Sequence, residues 1–186
     1  VYKRQAKDYR RGHDPHIWDQ ITRALPKTKD IRKVKHHAAC PYAEVHELLN
    51  TIKMSGAGDT VKRAFEFTVL TAARSGEMRL ATWSEIDFKT KRWNIPAERM
   101  KSAREHRVPL SPRVLEILEE QRGNGSELIF VSDRGKAYSD MTFTMLMRRL
   151  GLEFTVHGFR STFRDWSAEQ TSYPRDVCEA ALAHAN

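Results

Sequence analysis

The segment Thr155–Trp166, TVHGFRSTFRDW, decides how the rest of the chain is read. Wound at about 100° per residue, it sets His157, Arg160, Ser161 and Arg164 on one face and Phe159, Phe163 and Trp166 on the opposite one. The aromatic face is expected to be buried, so that Arg160 should be replaceable without harm to the fold. On the other face an imidazole and a guanidinium lie one turn apart at the helix start, where free backbone N–H groups and the dipole favour an anion. Gly158, between them, is expected to leave room for a close ligand. An amphipathic helix with a merely solvated charged face fits this stretch as well, so the surrounding sequence has to decide.

The 186 residues suit one domain of ordinary size, or one plus a fragment, with enough apolar content for a core. Lys and Arg number 32 against 24 Asp and Glu, a formal charge of +8, which makes an anionic partner such as nucleic acid a fair expectation. The excess is concentrated. Residues 1–35 hold 11 basic and 4 acidic side chains, while the remainder is nearly balanced. That segment reads as a basic, mostly extended arm, a linker or remnant of an N-terminal core-binding domain, with a possible short helix from Ile17 to Leu25. The remainder must gather its cations on one face to hold a polyanion. Cys40 and Cys178 make no disulfide framework, and His36, His37, Cys40 and His46 fit no standard zinc spacing. No apolar run is long enough to span a bilayer, no signal peptide is present, and nothing contradicts a reducing compartment. The chain begins at Val1 and stops at LAHAN without a helix stop signal, so both ends look cut.

From Pro41 onward the periodicity is clear. PYAEVHELLNTIK is a helix with Val45, Leu48, Leu49 and Ile52 inward, ended by SGAGD. A second helix capped by Asp59 is apolar nearly all round, reads as central to the core and delivers Arg74. Glu77 follows three residues later in a short helix, where a structural ion pair with Arg74 is the alternative to a functional role for the arginine. RWNIP and HRVPL alternate as two strands of a hairpin, preceded by a strand near Glu85 to Phe88, which leaves Lys101 in the connecting loop. Pro112 opens a helix with Val114, Leu115, Ile117 and Leu118 inward. A loop around a short apolar strand follows, and Phe143, Leu146, Met147 and Leu150 mark another helix. In RDVCEAALAHAN, Val177, Ala180 and Ala181 line one helix face, and His184, seven after Val177, is expected on that same face. The fold class is therefore α+β, mostly α-helical with a small antiparallel β-sheet.

The ordered set Arg74 with Glu77, Lys101 in a hairpin, His157 with Arg160, and then His184 resembles the catalytic domain of the tyrosine recombinases, the phage integrase family. The resemblance covers residues 36–186. LTAARSGE, IPAERMKSAREHRVPLS, HGFRSTFRDWSAE and EAALAH look especially like integrases of P4-type prophages and genomic islands. It implies a site-specific recombinase that transesterifies duplex DNA through a 3′-phosphotyrosine without metal or other cofactor. It also implies assembly into a tetrameric synapse on attachment-site DNA, in a bacterial cytoplasm at the nucleoid. In the family a nucleophilic tyrosine follows the last histidine closely. Tyr173 precedes His184 and does not match by order, so the nucleophile is expected beyond Asn186, in a segment lost by C-terminal truncation. A DNA-binding protein without catalysis is the alternative.

The chemistry asks for these residue types. Without metal, the charge on a pentacoordinate phosphorane must be held by fixed cations, and arginine is the best fork for two phosphate oxygens. Arg74 and Arg160 would clamp the non-bridging oxygens, and His184 would donate a further hydrogen bond. By resemblance, Lys101 protonates the departing 5′ oxygen, His157 manages the tyrosine proton, and Glu77 supports the arginine helix.

Overall fold

Helix α1 (Val45–Met54) is entered from Pro41 through a 3-10 turn, Tyr42–Glu44, and buries Leu48 and Ile52. These coordinates come from a computed structural model that describes residues 38–184. The basic segment 1–35, with its possible helix, and the pair His36 and His37 lie outside the described residues.

Helix α2 (Asp59–Thr71) is the hub of the core. Gly58 already holds the extended backbone of a cap, so Asp59, expected as the cap, falls one residue inside, with its carboxylate on the positive end of the helix. Phe65 meets the ring edges of Phe143 at 5.3 Å and Phe159 at 5.6 Å, and Phe67 meets Trp93 and Phe130, each at 5.2 Å. Both phenylalanines are fully buried, and each such side chain contributes roughly 1.5–3 kcal/mol relative to exposure. The two buried threonines do not break the apolar face, because Thr68 and Thr71 each donate to the carbonyl four residues back at 2.7 Å. The helix is less apolar all round than its sequence suggests, since Leu70 is exposed.

At Ala72 the chain turns with φ +49°, a left-handed residue that closes α2 and sends the backbone through Ala73 to Arg74. The short α3 (Ser75–Arg79) begins there. Strands β1 (Ile86–Asp87), β2 (Arg92–Ile95) and β3 (His106–Pro109) form an antiparallel sheet in that order. Trp93 pairs with Ile86 and Val108, and Ile95 pairs with His106, so Trp93, Ile95 and Val108 enter the core from one face. The apolar run expected as a further strand, Leu128 to Val131, forms only a single bridge from Leu128 to Thr82. Its carbonyls are occupied: the Asn124 amide donates to Leu128 at 3.0 Å and to Ile129 at 2.9 Å.

Helix α4 (Pro112–Gln121) is capped by the Ser111 hydroxyl, which accepts from the Val114 N–H at 3.4 Å. Arg113 ties it to α2 by a fork onto Glu66, at 2.8 and 2.9 Å. Helix α5 (Thr142–Arg149) buries Phe143, Leu146 and Met147 as its spacing predicts.

Helix α6 (Gly158–Gln170) departs from expectation in which side it buries. Phe159 is buried, but Phe163 is only half-buried, and Trp166 is exposed beside Tyr173 and Val177. The covered stripe is instead Gly158, Phe159, Arg160, Thr162 and Ser167. Small residues there let main chain approach: the Thr162 hydroxyl donates to the Cys40 carbonyl at 2.6 Å, and the Thr155 N–H donates to Ala38 at 2.9 Å. Gly158 therefore makes room for the chain itself, not for a ligand. A Cβ at 158 would lie 2.1 Å from the Ala38 carbonyl oxygen. Gly158→Ala should destabilise the domain near the upper end of the overpacking range of about 1–3 kcal/mol. Urea unfolding measures this, and an unchanged midpoint would mean that the Ala38 segment is not seated as described.

Helix α7 (Arg175–Ala181) is also unlike its expected form. Val177 is exposed, Leu182 is the buried residue, and Ala183 turns left-handed at φ +49°. His184 is thus off the helix, and the seven-residue spacing from Val177 does not place it. The α+β class, mostly helical around one small antiparallel sheet, is as the sequence predicts.

Candidate functional site

Arg74 is the N-cap of α3, and the Glu77 carboxylate folds back to accept from it. One Glu77 oxygen accepts the Arg74 backbone N–H at 2.8 Å and the other accepts its guanidinium at 2.7 Å. Glu77 is itself buried, whereas the Arg74 side chain keeps a quarter of its surface open. The guanidinium is therefore held from behind and presented outward.

Arg160 comes to the same place from α6, and it is buried, at 5% exposure. It donates to the Ala72 carbonyl at 2.6 Å and to the Leu182 carbonyl, and it lies 3.2 Å from His184 Nε2. Burial lowers its pKa to about 10, the Arg74 charge pushes the same way, and Glu77 opposes both. Two guanidiniums with a single carboxylate acting on both leave an excess positive charge, which is the electrostatic condition for an anion site. The expectation that Arg160 can be replaced without harm to the fold does not hold, because two carbonyls depend on it.

His184 is oriented by Glu179, whose carboxylate lies 2.6 Å from Nδ1 and also pairs with Arg164 at 2.5 Å. The hydrogen bond from His184 holds the Glu179 carboxyl below its usual range. With Nδ1 donating to Glu179, the neutral ring can only accept from Arg160 at Nε2. To donate to a phosphate oxygen it must carry both protons.

The structure thus brings Arg74, Glu77, Arg160 and His184 together. Lys101 is exposed in the turn between β2 and β3, and the hydrogen bonds that join those four do not extend to it among the described residues. His157 is exposed one turn before Arg160 and caps α6, its carbonyl accepting the Arg160 N–H at 3.2 Å.

Two further residues escaped the sequence reading. Glu179 could have been found only by knowing that α7 ends before His184. His106 opens β3 opposite Ile95 and faces the same side as buried Val108. Alternation alone would have pointed it inward. Burial lowers the His106 pKa, the Arg160 and Arg74 charges push the same way, and Glu77 and the Ala181 backbone oppose them. In the folded state this ring resists a proton that the unfolded chain accepts near 6.5. Its contribution to stability is whole above that pH and is lost as pH falls through 6.5 toward the lower folded value. Subtracting the urea midpoints of His106→Gln from those of the wild type should reveal this decline; a flat difference would place His106 in solvent.

The fold around these residues is that of tyrosine recombinase catalytic domains. The Tn1549 transposon integrase, solved in complex with circular intermediate DNA, superposes with a TM-score of 0.69 at 14% identity, over 87% of this chain and 62% of that one. A lambda integrase dimer bound to a COC′ core site gives 0.64 at 20% identity, over 83% of this chain and 60% of that one. The chain belongs to the phage integrase family, whose model matches residues 41–186. Prophage integrase IntA of Escherichia coli strain K12 is 35% identical over 149 residues, covering 77% of this chain and 36% of the relative. The integrase of Enterobacteria phage P4 is 31% identical over 173 residues, covering 82% and 39%. The chain therefore spans well under half the length of these relatives. No helix among the described residues is long and apolar enough to cross a membrane.

Proposed function

We propose that the protein is a site-specific DNA recombinase, an integrase that breaks and rejoins duplex DNA through a 3′-phosphotyrosine. The observation that carries this reading is that buried Arg160, bonded to His184, lies within the field of both outward-facing Arg74 and the Glu77 carboxylate that holds it. An incoming phosphodiester would take Arg74 and Arg160 on its non-bridging oxygens and His184 as a further donor. Each such oriented donor contributes roughly 3 kcal/mol to the transition state, by analogy with oxyanion holes. Lys101 would swing in on its hairpin to protonate the 5′ oxygen, and His157 would take the proton of the attacking tyrosine. The tyrosine follows His184 in the protein at its relatives' length. The phosphotyrosine conserves the energy of the broken bond, so rejoining needs no nucleotide or metal. Attachment-site duplex is the partner, four protomers form the synapse, and the bacterial nucleoid is the place of action.

The test is to trap covalent protein–DNA adduct on a nicked attachment-site duplex, using the protein at the length of its relatives. An adduct on a tyrosine after His184 is expected. Its absence despite binding would leave a DNA-binding protein without catalysis, and an adduct on Tyr173 would overturn the assignment of the site. Duplex binding should also fall steeply with salt. If three phosphates are engaged, affinity should drop about forty-fold between about 50 and 200 mM, through release of condensed counterions. A flat response would argue against recognition of the backbone.

A further inference from the structure

The hairpin that carries Lys101 is fastened at its base by a side chain that plays no part in the scheme above. We propose that Arg99 is a positioning residue, which fixes the Lys101 loop to the platform that holds Arg74. This rests on the recombinase reading and extends it to how the lysine is aimed.

Arg99 ends the 3-10 turn Ala97–Arg99 that leaves β2, two residues before Lys101. Its guanidinium reaches inward in a fork. One nitrogen pairs with Glu85, and the other donates to the main-chain carbonyl of Glu77 at 2.5 Å. Glu85 is itself immobilised, because its second oxygen accepts the indole N–H of fully buried Trp93 at 2.8 Å. Glu77 therefore stands between two arginines, its carboxylate on Arg74 and its carbonyl on Arg99. The buried side chain of Met100 adds an apolar anchor immediately before the lysine.

The other end of the loop is held where β3 begins, by the pairing of His106 with Ile95. Between these fixed points the chain from Lys101 to Glu105 is mostly exposed, closed by one turn bond from the Ala103 N–H to the Met100 carbonyl at 3.0 Å. Two residues span at most about 7 Å, so the Lys101 backbone stays within that distance of Arg99 however the loop moves. A general acid has to come within hydrogen-bond reach of the oxygen it protonates. Misplacement of a reacting group by about 1 Å costs on the order of a hundred-fold in rate. A buried ion pair that only stabilised the core would need no bond to the residue that holds Arg74.

The experiment separates aim from stability by changing the leaving atom. In cleavage the tyrosine oxygen bonds to phosphorus, the bond from phosphorus to the 5′ oxygen breaks, and that oxygen takes a proton from Lys101. With sulfur in the 5′ bridging position the departing atom leaves as a thiolate, whose conjugate acid has a pKa near about 8.5, and no proton donor is needed. Adduct formation is measured on the oxygen and sulfur duplexes with the protein at the length of its relatives. Arg99→Ala and Lys101→Ala should both be slowed by roughly a hundred-fold on oxygen. Both should return to within about ten-fold of wild type on sulfur, whereas Arg74→Ala should stay slow on both. Arg99→Lys, which keeps the charge and loses the fork, should show the same rescue and serves if the alanine variant does not fold. Equal slowing of the Arg99 variants on both substrates, with an active wild type, overturns the proposal alone. A wild type inert on both substrates overturns the recombinase reading, and this proposal with it.

Discussion

Arg160→Ala should abolish phosphotyrosine formation and weaken the fold at once. The side chain is buried and donates to two main-chain carbonyls, those of Ala72 and Leu182. Each carbonyl left unpaired costs about 1–3 kcal/mol, so the variant should unfold at clearly lower urea. Arg160→Lys separates the two effects. Lysine restores a point charge but not a planar fork, so duplex binding should recover much better than adduct formation. The latter should remain down by roughly 10²–10³-fold, as when one oxyanion donor is lost. Both quantities have to be measured on one substrate at one salt concentration. Near wild-type adduct formation by Arg160→Lys would make Arg160 a steering charge and leave the transition state largely to Arg74.

The second large effect belongs to Glu77, which never needs to touch DNA. Glu77→Ala removes both acceptors that hold Arg74 and opens the cap of α3. The cap is worth about 1 kcal/mol of stability. The loss of orientation should cost far more in rate, on the order of a hundred-fold. Glu77→Gln keeps an acceptor of the same shape and should lose much less. Should the alanine variant cleave as fast as the glutamine variant, Arg74 would have to be oriented by the phosphate alone.

The residues of the site were legible where local chemistry placed them. Arg74 and Glu77 lie one turn apart, and the alternation of RWNIP and HRVPL put Lys101 in a turn whatever the packing. What the sequence hid was set by contacts between distant segments. The aromatic spacing of α6 promised a buried Trp166, but the stripe that main chain covers is chosen by Gly158 and Thr162, which admit Ala38 and Cys40. The sequence makes His184 look helical because nothing local announces the left-handed turn at Ala183. The burial of Arg160 was missed for the same reason: its acceptors are carbonyls of residues 88 and 22 positions away.

Ala72 carries a consequence for how such a site would be mapped. Its left-handed backbone costs about 1–2 kcal/mol for a residue with a Cβ, and its carbonyl accepts from Arg160. Because the contribution is made by main chain, and the residue is already alanine, an alanine scan has nothing to change at position 72. The Leu182 carbonyl is equally invisible to such a scan, since truncating Leu182 reports on its buried side chain and not on the oxygen that Arg160 holds. Two of the three hydrogen-bond partners of the site's central guanidinium are therefore main-chain carbonyls, a support written in backbone conformation. It would be exposed by swapping single backbone amides for esters, which weakens the carbonyl as an acceptor while leaving every side chain in place.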